Sequence, residues 1–243
     1  MTALSALRSP VLIAGLLLLT LPATAQSDRT DVPMTVSLHA QAGYTSFSMN
    51  EATDFFRAVV GAYQEQGINI PVQQTYPGNA LLGGGVTLGR GGWSTGLHVR
   101  YARSEAAALY GDLGGTLDVT SETSLWTVET STAYTFRRDR RLQPFLGARA
   151  GRAIGRYVVT ERVRLSFGGA EDEASAELEA AGTGFSLTGV GGVRYTLGPV
   201  FLRAEAGYRY ASIGNDEDDL AFDVGYAGPV ASLGLEVPVW RFQ

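Results

Sequence analysis

Residues 200–210 read Val-Phe-Leu-Arg-Ala-Glu-Ala-Gly-Tyr-Arg-Tyr. Val200, Leu202, Ala204, Ala206, Tyr208 and Tyr210 alternate with Phe201, Arg203, Glu205, Gly207 and Arg209. Successive side chains of a strand point to opposite faces, so a period of two marks a strand, here with one apolar face and one face carrying three charges. The same alternation recurs upstream. Trp93, Thr95, Leu97, Val99 and Tyr101 oppose Ser94, Gly96, His98 and Arg100. Trp126, Val128, Thr130, Thr132, Tyr134 and Phe136 oppose Glu129, Ser131, Ala133 and Thr135, and Phe185, Leu187, Gly189, Gly191, Val193 and Tyr195 oppose Ser186, Thr188, Gly192 and Arg194.

Eight such segments are expected, at 34–48, 80–89, 92–104, 123–136, 144–160, 183–197, 199–213 and 223–242. Short connections (89–92, 137–143, 197–199) alternate with long ones (49–79, 105–122, 161–182, 214–222). An even strand count with short periplasmic turns and long outer loops is what a bacterial outer-membrane barrel requires. Energy decides which face meets lipid. A guanidinium on the lipid face at the bilayer midplane costs about 2–4 kcal/mol, so Arg100, Arg203, Glu205 and Arg209 are expected inside, with Glu129, Arg149, Arg194 and Glu236. The apolar face then points outward. Trp93, Tyr101, Trp126, Tyr134, Tyr195, Tyr208 and Tyr210 fall near strand ends, where interfacial girdles belong. A soluble, lipocalin-like barrel would invert this pattern, and the leader, the loop alternation and the paired aromatic rings speak against it.

Composition agrees. Gly supplies 31 of 243 residues, nearly twice the usual ~7%, and with 11 Tyr and only 9 Pro this favours many strands and tight turns. The absence of Cys excludes a disulfide framework, thiolate metal sites, a Cys nucleophile and lipid attachment at an N-terminal Cys, and no cofactor is expected. All 19 basic residues are Arg, but the net charge of −5 gives no reason to expect a nucleic-acid partner.

Residues 1–25 carry Arg8, an apolar run from Val11 through Leu21, and Ala23-Thr24-Ala25, the pattern of a secretory signal peptide cleaved after Ala25. The run is too short to span a bilayer as a helix, which takes about 20 residues. Residues 26–33 are expected as a short N-terminal periplasmic segment and 34–243 as the transmembrane barrel, placing the protein in the bacterial outer membrane. Two strands strain the pattern. With Leu146, Ala148 and Ala150 outward and Arg149 inward, the same register puts Arg152 and Arg156 outward too, which a β-bulge or exit from the membrane near Gly151 would resolve. In the last strand Tyr226 and Val230 have even parity while Leu233, Leu235, Val237 and Val239 are odd, which suggests a slip near Pro229 and leaves Glu236 inward.

The stretches Gln143-Pro144-Phe145-Leu146-Gly147-Ala148-Arg149-Ala150-Gly151, Gly192-Val193-Arg194-Tyr195 and Gly198–Tyr210 resemble the porin-like superfamily of small eight-stranded outer-membrane β-barrels, of the outer membrane protein A/X type. The resemblance implies architecture strongly and function weakly, because its motifs are Gly, aromatic and alternating residues. It also implies periplasmic chaperones and the barrel-assembly machinery as partners during biogenesis. Such proteins typically end in an aromatic residue that the machinery reads; here Phe242 is penultimate, a departure that leaves Phe242 the candidate signal.

An eight-stranded barrel is just wide enough for side chains to fill it, so the inward charges are expected to pair across the lumen and plug it. The competing reading is a narrow path for water, small solutes or anions. A lipid-modifying hydrolase would need a His activating a Ser or water, oriented by a carboxylate. His39 and His98 both fall on inward faces without a His-x-Ser arrangement, so no catalytic residue is assigned and no enzyme is expected. The 49–79 loop holds the clearest helix: Phe55, Phe56, Val59, Val60 and Tyr63 share one face, Ser48 and Glu51 are spaced as a capping box, and Gly67 suits the stop. That face would pack on the barrel mouth as a lid, lie in the outer-leaflet interface, or dock an outer-surface protein or polysaccharide partner. Glu171-Asp172-Glu173 and Asp216-Glu217-Asp218-Asp219 lack the ligand spacing of a dedicated Ca²⁺ loop and are expected as solvated outer loops. Arg137, Arg138, Arg140 and Arg141 fall on a periplasmic turn, within reach of phospholipid headgroups or periplasmic polymer.

Overall fold

A computed structural model describes residues 32–47, 49–74, 76, 78–112, 114–167, 170–215 and 222–242. Residues 1–31, which hold the expected signal peptide, Ser48, the Asp216–Asp219 run and Gln243 lie outside the described residues. The chain runs β1 (Met34–Thr45), α1 (Asn50–Glu65), β2 (Val72–Gln74), β3 (Asn79–Arg90), β4 (Trp93–Asp112), β5 (Gly115–Thr135), β6 (Leu142–Phe167), β7 (Ala170–Leu197), β8 (Val200–Asn215) and β9 (Phe222–Phe242).

Around the ring the order is β1, β3, β4, β5, β6, β7, β8 and β9, every pair antiparallel, and β9 returns to β1. Eight strands thus close in up-and-down order, which leaves the lipid-facing wall without the unpaired backbone that a bilayer does not tolerate. The three-residue β2 pairs with β4 above the point where β3 ends. Tight turns need a left-handed residue, and Gly91 and Gly198, both at φ +60°, supply it.

The outside is apolar. Leu82, Leu97, Leu146, Leu187 and Leu233 are each more than half exposed, and a continuous apolar surface of this kind on a folded chain marks contact with something other than water. Two outward aromatic groupings bound it. Trp93, Tyr134 and Tyr195 lie toward the short-turn end, with Phe136 and Trp240, while Tyr101 packs on Trp126 at 4.8 Å between centroids and Tyr210 on Phe185 at 5.6 Å toward the other end. Tyr208 also points outward. Trp93 to Tyr101 is eight residues, about 26 Å along a strand at roughly 3.3 Å per residue, or about 20 Å after a tilt near 40°.

The structure corrects three expectations. Segments 105–122 and 161–182 are not loops: β4, β5, β6 and β7 continue through them as paired strands. Segment 105–122 keeps the inward parity, with Ala106, Ala108, Leu117 and Val119 buried, while in 161–182 Arg162 and Arg164 pair across the strands with Glu173. In β6 there is no bulge, so Arg152 and Arg156 do point outward, Arg152 opposite Phe185 of the aromatic band and Arg156 four residues farther along the strand. Arg156 is held there by Glu179, with Nε and Nη2 at 2.6 and 2.8 Å from its carboxylate oxygens, and Arg152 donates to Thr183 Oγ1 at 3.2 Å. Nor does β9 slip near Pro229, for its register with β8 is unbroken from Phe201/Glu236 to Asn215/Phe222. Tyr226, Val230, Ser232 and Glu236 all face inward. The irregularity lies elsewhere: Val36 pairs with Trp240 and Ser37 with Pro238, so Val239 is the extra residue of a bulge beside a proline that has no ladder N–H to give.

Candidate functional site: the barrel interior

Inward parity on eight strands brings charged residues far apart in sequence into one layer. Glu205 on β8 is its hub, accepting from Arg100 on β4 at 3.1 Å, Arg149 on β6 at 2.6 Å and Arg203 on its own strand at 3.1 Å. Arg100 also lies 3.8 Å from Glu129, whose carboxylate accepts from Ser186 and Thr188. Arg209 donates to Thr188 Oγ1 at 3.4 Å. Nearer the short-turn mouth, Glu236 lies 3.4 Å from Arg194 and 3.8 Å from Arg203. The guanidinium of Arg194 covers the Phe201 ring at 3.6 Å and that of Arg203 the Phe145 ring at 4.1 Å, so aromatic faces hold these charges as well. All eight expected charges therefore face the interior, and Arg100, Arg149 and Arg209 are each 1% exposed. Glycine makes the room: a Cβ at Gly83 would lie 2.8 Å from Arg100 Cγ.

His39 and His98 stand in the same interior with ring centroids 4.5 Å apart. His98 Nε2 is hydrogen-bonded to Ser131 Oγ at 2.6 Å, while His98 Nδ1 and both nitrogens of His39 have no hydrogen-bond partner among the described residues. A His–Ser contact thus exists, but among the described residues no carboxylate orients the imidazole. Ser131, Ser186, Thr188, Phe145 and Phe201 were not singled out in the sequence. Ser131 reaches His98 from the neighbouring strand, and only the β4–β5 register, Gly96 opposite Ser131, puts it there.

Above the charged layer the interior turns apolar, and α1 fills it. Ala52, Phe56 and Val60 are buried, with Phe55, Val59 and Tyr63 on the flanks. They meet Leu81, Ala102, Leu125, Ala153, Ile213 and Tyr226 in one core cluster. Phe55 packs on Tyr157 edge to face at 5.9 Å, and Tyr63 O–H donates to Glu161 on β6 at 2.7 Å. Thr123 and Tyr226 hydroxyls are hydrogen-bonded at 2.7 Å across the interior. The helix face is thus covered by the barrel's own inner wall, not by a leaflet or a partner. Met49 is the N-cap and makes no side-chain cap bond; its side chain, 2% exposed, packs in the core, and Ser48 of the expected capping box lies outside the described residues. Gly67 takes φ +86° at the other end.

Two further charged stretches, around Glu173 and at Arg137–Arg141, lie outside the lumen. Glu173 on β7 pairs with Arg162 at 3.1 Å and Arg164 at 3.4 Å, and among the described residues no group of His, Asp and Glu is gathered to hold a metal. Arg137, Arg138, Arg140 and Arg141 are exposed on the 136–141 turn. Phe242 pairs with Met34 and stacks on Trp240 at 6.3 Å.

No protein-family model matches the chain, and no curated protein matches it in sequence. Among solved structures it is similar to Neisserial surface protein A (18% identity, 84% of this chain and 96% of that one, TM-score 0.36). It is also similar to the outer membrane protein OprG from Pseudomonas aeruginosa (14% identity, 86% and 96%, TM-score 0.42). The outer membrane protease OmpT from Escherichia coli aligns more loosely (8% identity, 87% and 97%, TM-score 0.23). Likenesses this remote say nothing of activity. The architecture, an eight-stranded up-and-down β-barrel with an apolar outer belt, rests on the closed strand ring and on that belt.

Proposed function

We propose that this chain is an integral outer-membrane barrel, exported by residues 1–25, with a lumen closed to solutes and a structural or interaction role carried by its outer surface rather than by catalysis. The observation that carries the reading is the Glu205 hub, where three guanidiniums from three strands converge on one carboxylate in a lumen with no width to spare. The apolar layer under α1 supports it as a second obstruction in series. Partners on this reading are the surrounding lipid, an outer-surface protein or polysaccharide, and, during biogenesis, periplasmic chaperones and the assembly machinery, with Phe242 as the candidate signal.

The test is single-channel conductance of refolded protein in a planar bilayer, with heat-modifiable gel migration as the control that the barrel has formed. Folded, silent protein is the expected result. Stable ion-selective steps that vanish in Arg203→Ala or Glu205→Ala would make the lumen a channel and overturn the reading.

A further inference from the structure

At the short-turn end, a groove of about 730 Å³ runs along the outside of the barrel between the 91–92 turn and the 136–141 turn. Its walls belong to the lipid-facing belt: Met34, Leu88, Trp93 and Tyr134 line it, each 37–47% exposed. The Trp93 and Tyr134 rings lie 5.0 Å apart. Gly92 permits that wall, since a Cβ there would sit 2.8 Å from the Tyr134 ring.

The head of the groove has the opposite chemistry. Arg90, Arg137 and Arg138 line it, and none of the three has an ion-pair partner among the described residues. The carboxylate that also lines it, Asp139, lies 3.6 Å from Arg140. The turn that presents these guanidiniums is fixed from below, Gln143 Nε2 donating to the carbonyls of Arg138 and Arg140 at 3.0 Å each and the Thr196 N–H to that of Arg141 at 2.9 Å. Arg90 and Arg138 also border the lumen mouth, where Arg194, Arg203 and Arg241 face Glu236, so the positive field is broader than the groove.

We propose that this groove binds an anionic phospholipid of the leaflet at the short-turn end, its acyl chain against Leu88, Trp93 and Tyr134 and its phosphate against Arg90, Arg137 and Arg138. A free phosphate would use the guanidiniums and leave the apolar wall idle. A zwitterionic lipid would use the wall but bring a cation to the head. The site rests on the reading of the apolar belt as lipid-facing.

The experiment uses the full barrel with Trp126→Phe and Trp240→Phe, leaving Trp93 as the reporter, refolded into phosphatidylcholine vesicles. These carry a small fixed fraction of either brominated phosphatidylglycerol or brominated phosphatidylcholine. Trp93 is expected to be quenched preferentially by the anionic lipid. Each of Arg90→Gln, Arg137→Gln and Arg138→Gln is expected to lower that preference about fivefold, while Arg162→Gln at the far end leaves it unchanged. Arg90 lies outside the hydrogen-bonded 136–141 turn, so its variant keeps the test independent of that turn's folding. Equal quenching by the two lipids, or a preference that survives all three substitutions, overturns the site. So does loss of the preference to inorganic phosphate or to soluble peptidoglycan fragments at matched ionic strength, which would give the guanidiniums to a free anion or a polymer. Quenching by neither lipid in folded protein would instead overturn the lipid-facing belt, and the site with it.

Discussion

The two halves of the barrel interior obey one parity rule and are filled by opposite means. Toward the short turns the wall fills its own lumen, with long side chains whose charges meet at Glu205. Toward the long connections the wall residues are short or apolar, among them Ala102, Ala106, Ala153 and Ala211, and a separate piece of chain, α1, occupies the space. Buried charge is costly unless paired and hydrogen-bonded, whereas the α1 layer rests on area removed from water and on close packing. The lower layer is therefore expected to be all-or-none and the upper one separable.

Glu205→Gln should break the lower half hardest. It keeps the shape but leaves Arg100, Arg149 and Arg203 facing a neutral amide, and removing one partner of a buried pair costs about 3–5 kcal/mol. The check is the urea midpoint of the heat-modifiable form, expected to fall for the whole barrel. An unchanged midpoint would mean that the pairs are not held together as drawn. Phe56→Ala should cost about 3 kcal/mol through the cavity it leaves, but the loss should appear in amide exchange of 50–65 with the barrel's urea midpoint nearly intact. A matching fall in that midpoint would erase the distinction between the halves. The smallest effect sharpens the upper half alone. Burial first, and the hydrogen bond to Glu161 second, push the Tyr63 phenol up to about 12. Docking thus favours the protonated phenol, a contribution complete below pH 10 and lost as pH rises through about 12. Protection of α1 should weaken over that window in the parent and show no such step in Tyr63→Phe; the same step in both would remove Tyr63 from the contact.

The ring of strands was legible because period-two alternation and the spacing of Gly-rich turns are local signals. Inward placement of Arg100 or Glu205 followed from the cost of the alternative. Register problems arose where a single rule, polar inside and apolar outside, was carried along the whole strand. Tyr226 is inside because it packs in the core cluster that α1 fills, a fact that β9 alone does not hold. Arg156 is charged and outside because β6 runs on past the aromatic band, and Glu179, which secures it, comes from the next strand. The Ser131 contact to His98 was likewise out of reach, since it depends on register rather than on sequence neighbours. Segments 105–122 and 161–182 looked like loops because their outward faces carry Glu and Arg in water rather than leucine in lipid.

The position of α1 in the chain sets the timing of assembly. It follows β1 directly, yet its neighbours Leu125, Tyr157, Ile213 and Tyr226 come from strands made much later, and the seam that closes the ring joins Thr45 to Val230. Contacts of such long sequence separation form late. Phe56 and Val60 must therefore stay uncovered until the last strand returns, so the apolar surface bared before closure lies not on the outer belt alone but on one amphipathic turn of helix waiting for a room that has not yet been built.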